Sequence, residues 1–155
     1  MEITLEPMTR ELCRRLFSGW QNDPAIYADM GLFRPYVYDE AAVDRYFDSK
    51  QVPSRVLLAV MLAGEPIGEV QLKSIDREKA ECTLSIHLKH DDLKGRGFGT
   101  EAERLAVAYA FETLGLRAVN ADTIKKNTRS AHVLEKVGFK RMGEDDGFFY
   151  YRIEK

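Results

Sequence analysis

Between Leu93 and Ala102 the chain reads Leu-Lys-Gly-Arg-Gly-Phe-Gly-Thr-Glu-Ala, three glycines alternating with a cation and an aromatic ring. Without Cβ atoms, glycines let the backbone turn tightly and bring its N–H groups against a ligand. A helix opening at such a turn adds unpaired amides and the positive end of its dipole. The combination is an anion site suited to a phosphate or pyrophosphate. The alternative is a glycine-rich turn that only joins a strand to a helix, and the flanking residues decide between the two.

Upstream, Ala80 to Leu88 alternates strictly, apolar at even positions and polar at odd ones, the period of a half-buried strand. Downstream, Phe98, Ala102, Leu105, Ala106 and Tyr109 fall at helical spacing and give one buried face. The glycines therefore turn a strand into a helix, the context a phosphate loop requires. Two known loops fail: no Gly-Lys-Ser/Thr triplet exists for a Walker loop. A dinucleotide fingerprint would need glycine where Thr100 stands.

Other reactive types are sparse. Cys13 and Cys82 are isolated thiols without metal-like spacing, one on a helix face and one in a strand's apolar row, and they read as buried free cysteines. His87 lies on the polar row of the alternating strand and titrates in the range a general base needs. A surface or structurally bonded histidine is the competing reading. Glu69, on a neighbouring run, is a second candidate base, and Glu81 a more distant one.

The elements that must hold these residues follow in order. Glu2 to Glu6 alternates as a first strand ended by Pro7, and Thr9 can cap a helix carrying Leu12, Leu16 and Phe17 on one side. A second helix starts near Asp39 or Glu40. Arg55–Leu62 and Pro66–Ile75 are strand-like and separated by Ala63-Gly64-Glu65, so with the run at Ala80 they form an antiparallel meander. Gly115 stops the helix after the glycine turn, and Arg117–Ile124 is a strand that crosses back and runs parallel to its predecessor. Asn127 or Thr128 caps a last helix closed by Gly138, and a final hairpin spans Phe139–Glu144 and Phe148–Ile153.

From Gly19 to Lys50, Trp20, Tyr27, Phe33, Tyr36, Tyr38, Tyr46 and Phe47 are interspersed with Asp23, Asp29, Asp39, Glu40, Asp44 and Asp48. Aromatic faces and carboxylates both attract cations, so this segment can form the mouth for an amine. The competing reading is core aromatics beside solvated acids.

A chain of 155 residues with 45% apolar and 31% charged residues suits one domain, residues 1–155, with one sizeable core. A formal charge of -2 argues against nucleic acid as the main partner. The N-terminus lacks the features of a signal peptide, and the longest apolar run, Val56–Ala63, is too short to span a bilayer. A soluble cytoplasmic protein without a membrane partner is expected.

Lys94-Gly95-Arg96-Gly97-Phe98-Gly99, extended by Thr100, resembles the Arg/Gln-x-x-Gly-x-Gly/Ala coenzyme A pyrophosphate loop of the GNAT superfamily of N-acetyltransferases. Lys94 keeps the charge of the usual arginine without its planar fork. Asn127 to Phe139 is similar to the Asn-x-x-Ser-x-x-Val-Leu-Glu-Lys-x-Gly-Phe signature of the RimJ/RimL-like branch.

The resemblance implies an α+β (mixed α/β) fold, a mostly antiparallel twisted sheet of about six or seven strands flanked by about four helices. Its central parallel pair would splay apart, and acetyl-CoA would enter the gap. Ile86, His87 and Leu88 then match the positions beside the pantetheine, and Asn127 and Ser130 can contact it as well as cap a helix. Lys125, Lys126, Arg129, Lys136, Lys140 and Arg141 could meet the remaining phosphate. Many family members place a tyrosine, as acid for the leaving thiolate, where this chain has Leu134, so Ser130 is the replacement candidate. Tyr150 and Tyr151 would line the acceptor side.

The implied activity is direct acetyl transfer from acetyl-CoA to a primary amine of a small molecule, polyamine or peptide N-terminus. A non-catalytic acyl-CoA-binding or sensor domain is the rival reading, and a nucleotide-binding protein a weaker one. Assembly is left open between a monomer and a homodimer.

Overall fold

A computed structural model of the chain describes residues 2–22, 31, 34–90, 93 and 95–155. Tyr27 and Lys94 lie outside these residues, as do Asp23, Asp29 and Phe33. The elements are β1 (Ile3–Pro7), α1 (Arg10–Ser18), α2 (Glu40–Ser49), β2 (Val56–Leu62), β3 (Glu65–Asp76), β4 (Glu81–Leu88), α3 (Phe98–Ala108), β5 (Ala118–Ile124), α4 (Thr128–Val137), β6 (Lys140–Glu144) and β7 (Phe148–Glu154). Pro7 does not stand outside β1 but is its last residue, opposite Leu58. An edge strand tolerates proline because one side of its backbone needs no ladder partner.

The helices begin where their first side chains can replace missing backbone partners. Thr9 Oγ1 accepts from the Leu12 amide at 3.1 Å, Asp39 Oδ1 from Ala42 at 3.2 Å and Asn127 Oδ1 from Ser130 at 3.1 Å. Each such cap stabilises its helix by roughly 1 kcal/mol. Gly138, at φ 118°, ends α4 in the left-handed region. α3 continues into a π-helical turn over Tyr109–Thr113 before Gly115, a widening that the apolar spacing gave no sign of.

One seven-stranded sheet runs in the order β1-β2-β3-β4-β5-β7-β6. All neighbours are antiparallel except β4 and β5. The mixed architecture and the parallel central pair match the expected fold. On one face, Leu58, Val70, Leu72 and Leu84 pack against Ala102 and Ala106 of α3 and Leu134 of α4. On the other, Leu57, Ala59 and Met61 meet Cys13 and Leu16 of α1 and Val43 of α2. The period of two along β4 sends Cys82 and Leu84 to the α3/α4 face. Ser85 and His87, opposite Gln71 and Glu69, take the α1/α2 face.

The parallel register holds only at Glu81↔Ala118, Cys82↔Val119 and Thr83↔Asn120. Beyond Thr83, β4 continues to Leu88 beside β3, and β5 continues to Ile124 beside β7, with no pairing between them. Arg152 pins the closed end, donating to Glu81 Oε2 at 2.8 Å and Asn120 Oδ1 at 3.0 Å. At the open end β4 is pressed against β3: a Cβ on Gly68 would lie 2.6 Å from the His87 carbonyl oxygen. Only glycine fits that approach. No helix among the described residues is long and apolar enough to cross a membrane.

Candidate active site

The divergence of β4 from β5 opens a cavity of about 290 Å³ that passes through the sheet. Leu84, Ile86, Ala121 and Leu134 line it from the α3/α4 face, and Lys73, Ser85, His87 and Asp122 from the α1/α2 face; Asn127 and Ser130 stand at the start of α4. A diverging strand leaves backbone donors and acceptors without strand partners, and an extended ligand carrying amides can satisfy them as a pseudo-strand. Ile86 and His87 lie on this stretch, and Leu88 ends it.

The glycine turn opens α3, the helix that reaches the gap with Glu103. Gly95 and Gly97 adopt φ of 75° and 84°, so the glycines are demanded by the backbone. Gly97 is the residue before α3 and supplies no side-chain cap, which leaves the amides at Phe98, Gly99 and Thr100 for a ligand. Space outside Gly95, Gly97 and Gly99 is open, with no atom within 4 Å of an added Cβ. Arg96 is exposed and stacks over Phe98 at 5.3 Å. An uncapped helix N-terminus beneath a left-handed glycine turn is a cradle for an anion.

His87 is half-buried and faces Glu69 across the β3–β4 ladder. Glu69 itself is only 4% exposed and does not line the cavity. Its carboxylate accepts from Tyr46 Oη at 2.7 and 2.9 Å and from Gln71 Nε2 at 3.2 Å, and Arg55 donates to Gln71 Oε1. Burial and then the Glu69 charge push the Tyr46 phenol well above its ordinary value, so it remains a donor. Glu69 is thus the acceptor at the centre of a buried network behind His87. Glu81 is at the closed end of the gap, ion-paired with Arg152.

The acid-rich aromatic segment resolves mostly into structure. Trp20, Tyr38, Tyr46 and Phe47 pack on the α1/α2 core, and Tyr36 lies against Phe17 at 6.3 Å between ring centres. Arg14 donates to both Asp44 oxygens, at 2.9 and 2.6 Å, and Arg10 to Asp48 at 2.6 Å. These acids are already neutralised. Arg14, by its hydrogen bond, holds the Asp44 carboxyl below the usual carboxylate range. Tyr150 is exposed on β7, opposite Asp122, and donates to Asp145; Tyr151 is buried and donates to Glu135 at 2.7 Å. Lys125 pairs with Glu144 and Arg141 with Glu135, so two of the six expected phosphate ligands have acidic partners.

Neither cysteine lines the gap. Burial pushes the Cys13 thiol up to about 12 and Cys82 up to about 11, leaving both as unreactive thiols near neutrality. One lining residue escaped the sequence reading altogether. Glu103, on the second turn of α3, is 3% exposed, and its Oε2 has no hydrogen-bond partner. Burial alone pushes its carboxyl up to about 8. The available signal was that Glu103 shares a helical stripe with Val107 and Ala110, both buried.

The model of the acetyltransferase (GNAT) domain matches residues 2–140. A probable N-acetyltransferase, YjcK, of Bacillus subtilis is 38% identical over 77 residues, 50% of this chain and 42% of that protein. The spermidine N(1)-acetyltransferase of Escherichia coli K12 is 31% identical over 81 residues, 52% of this chain and 43% of that one. The matched stretches thus take in less than half the length of these relatives. Among solved structures, the spermidine N-acetyltransferase of Vibrio cholerae in complex with CoA and spermine superposes with a TM-score of 0.80. Its identity is 19%, covering 98% of this chain and 95% of that one, a likeness of fold. With the family model matched over most of its length and the gap, glycine turn and sheet order in place, this chain belongs to the GNAT acetyltransferase family.

Proposed function

We propose that residues 1–155 form one acetyltransferase domain that moves the acetyl group of acetyl-CoA directly to a primary amine, with a polyamine as the favoured acceptor class. The observation that carries this reading is an open, uncapped glycine turn at the start of α3, the helix whose Glu103 lines the gap beyond Thr83. In it, Gly95 to Thr100 hold the pyrophosphate through backbone amides, with Arg96 and Lys94 adding charge. The amides of Ile86 and Leu88 pair with the pantetheine, and Asn127 contacts it where α4 begins.

The amine must lose a proton to attack, and His87 is the base on the α1/α2 face of the gap. Glu69 is a positioning residue behind it, opposite in the ladder and held by Tyr46 and Gln71. Ser130 orders water or donates a hydrogen bond at the α4 end. Tyr36, Tyr38 and Tyr150 flank the acceptor side. The polyamine preference draws on the Escherichia coli relative, whose name gives spermidine as its substrate. It also favours a place beside the spermidine acetyltransferases over the RimJ/RimL-like branch, which rests on the Asn127–Phe139 signature alone. A cytoplasmic location goes with this reading.

Thiol release from acetyl-CoA with spermidine, spermine, small monoamines and peptide N-termini tests the proposal. Turnover is expected to be fastest with a polyamine, and His87→Ala is expected to lower kcat by about 10²-fold. Silence with every amine, while CoA still raises the melting temperature, would leave an acyl-CoA-binding domain instead.

A further inference from the structure

We propose that Glu103 is the proton donor to the sulfur that leaves acetyl-CoA, acting from the α3/α4 face of the gap. This rests on the acetyltransferase reading above. Among the described residues lining the cavity, the polar ones on that face are Thr123, whose hydroxyl donates to the Ile124 carbonyl, Asn127 and Ser130 at the start of α4, and Glu103. Glu103 is therefore the one titratable side chain there. The other titratable groups of the cavity, Lys73 on β3, His87 on β4 and Asp122 on β5, belong to the α1/α2 face. α4 contributes only Asn127, Ser130 and Leu134, none of which ionises near neutrality.

A carboxyl 97% removed from solvent with an unpartnered oxygen is costly to keep, so a ligand that completes its hydrogen bonding is the natural explanation. Burial keeps it protonated at neutral pH, ready to give a proton rather than take one. Its raised value of about 8 lies close to that of an ordinary thiol, near 8.5, the match that makes proton transfer to sulfur efficient.

The gap then separates the two proton transfers of one reaction. As the amine nitrogen bonds to the acyl carbon, its proton passes to His87 on one face. As the carbon–sulfur bond breaks, the sulfur takes the Glu103 proton on the other. His87 returns its proton to solvent and Glu103 recovers one, so the balance is amine plus thioester to amide plus thiol.

The test compares wild type, Glu103→Gln and the double variant Glu103→Gln/Leu134→Tyr with spermidine as acceptor. Glu103→Gln is expected to lower kcat by about 10²-fold, to change the KM for acetyl-CoA by less than about threefold, and to abolish the fall in kcat above pH 8. Leu134→Tyr, which puts a phenol on the same face, is expected to restore part of the loss. Calorimetry supplies a readout apart from turnover: wild type should prefer CoA over desulfo-CoA, and Glu103→Gln should lose most of that preference. A melting temperature at or above wild type shows that the variant is folded. Unchanged kcat, pH profile and CoA preference in Glu103→Gln overturn the assignment while leaving the acetyltransferase intact. A wild type that neither binds CoA nor releases thiol overturns both.

Discussion

Burial keeps the Glu103 carboxyl protonated up to about pH 8 in the folded chain, whereas in the unfolded chain it ionises near 4.5. Between these values the unfolded chain has shed a proton that the folded one retains, so stability falls as pH rises through the window and levels off above it. Glu103→Gln should therefore gain on wild type by on the order of 4 kcal/mol between pH 4.5 and 8 in chemical denaturation. A constant difference across that range would mean the carboxyl is hydrated or paired. A second expectation concerns Tyr46, which donates to Glu69 and accepts from Gln71 Nε2 at 2.9 Å. Tyr46→Phe leaves two buried groups short of a partner and should cost about 1–3 kcal/mol, read from the urea midpoint. His87 was legible as a candidate because its strand alternates plainly. Glu103 was not, since a glutamate between Ala102 and Arg104 reads as the solvated side of a helix until α4 and the sheet close over it.

The glycine turn and the pressed end of β4 work at the scale of elements. Gly97 sits at φ 84° before α3, so Gly97→Ala places a Cβ in the left-handed region at about 1–2 kcal/mol, and it should weaken CoA binding by tilting the first amides. Isothermal titration against CoA and a melting curve check the two effects separately. Gly68→Ala is a different case, because its Cβ would collide with the backbone of His87 and not with a flexible side chain. It should destabilise the fold by a few kcal/mol and lower kcat more than it raises KM, since β4 must move where His87 stands. Full stability with normal kinetics would show that the strands can part there freely. The caps at Thr9, Asp39 and Asn127 were readable because capping is a local bargain between a side chain and amides two or three residues on. The acids of α2 were ambiguous for the opposite reason: Arg10 and Arg14 that neutralise them lie 38 and 30 residues earlier.

For the whole molecule, the sheet is closed by pairing everywhere except between the outer halves of β4 and β5. CoA should accordingly slow hydrogen exchange at residues 84–88 and 95–100 and leave β6, at the far edge, unaffected. Uniform protection, or protection confined to β6, would place the ligand elsewhere. The sequence by itself determined the succession of strands and helices, the glycine turn from strand to helix and the family, because periodicity, caps and turn chemistry are written within a few residues of where they act. Only the tertiary structure decided that β7 rather than β6 lies beside β5, that Glu69 sits in a buried network, and that Glu103 faces the gap. Those facts depend on which distant surfaces meet, and burial, which sets a carboxyl's charge and partners, belongs to the packed assembly of elements and not to any stretch of chain.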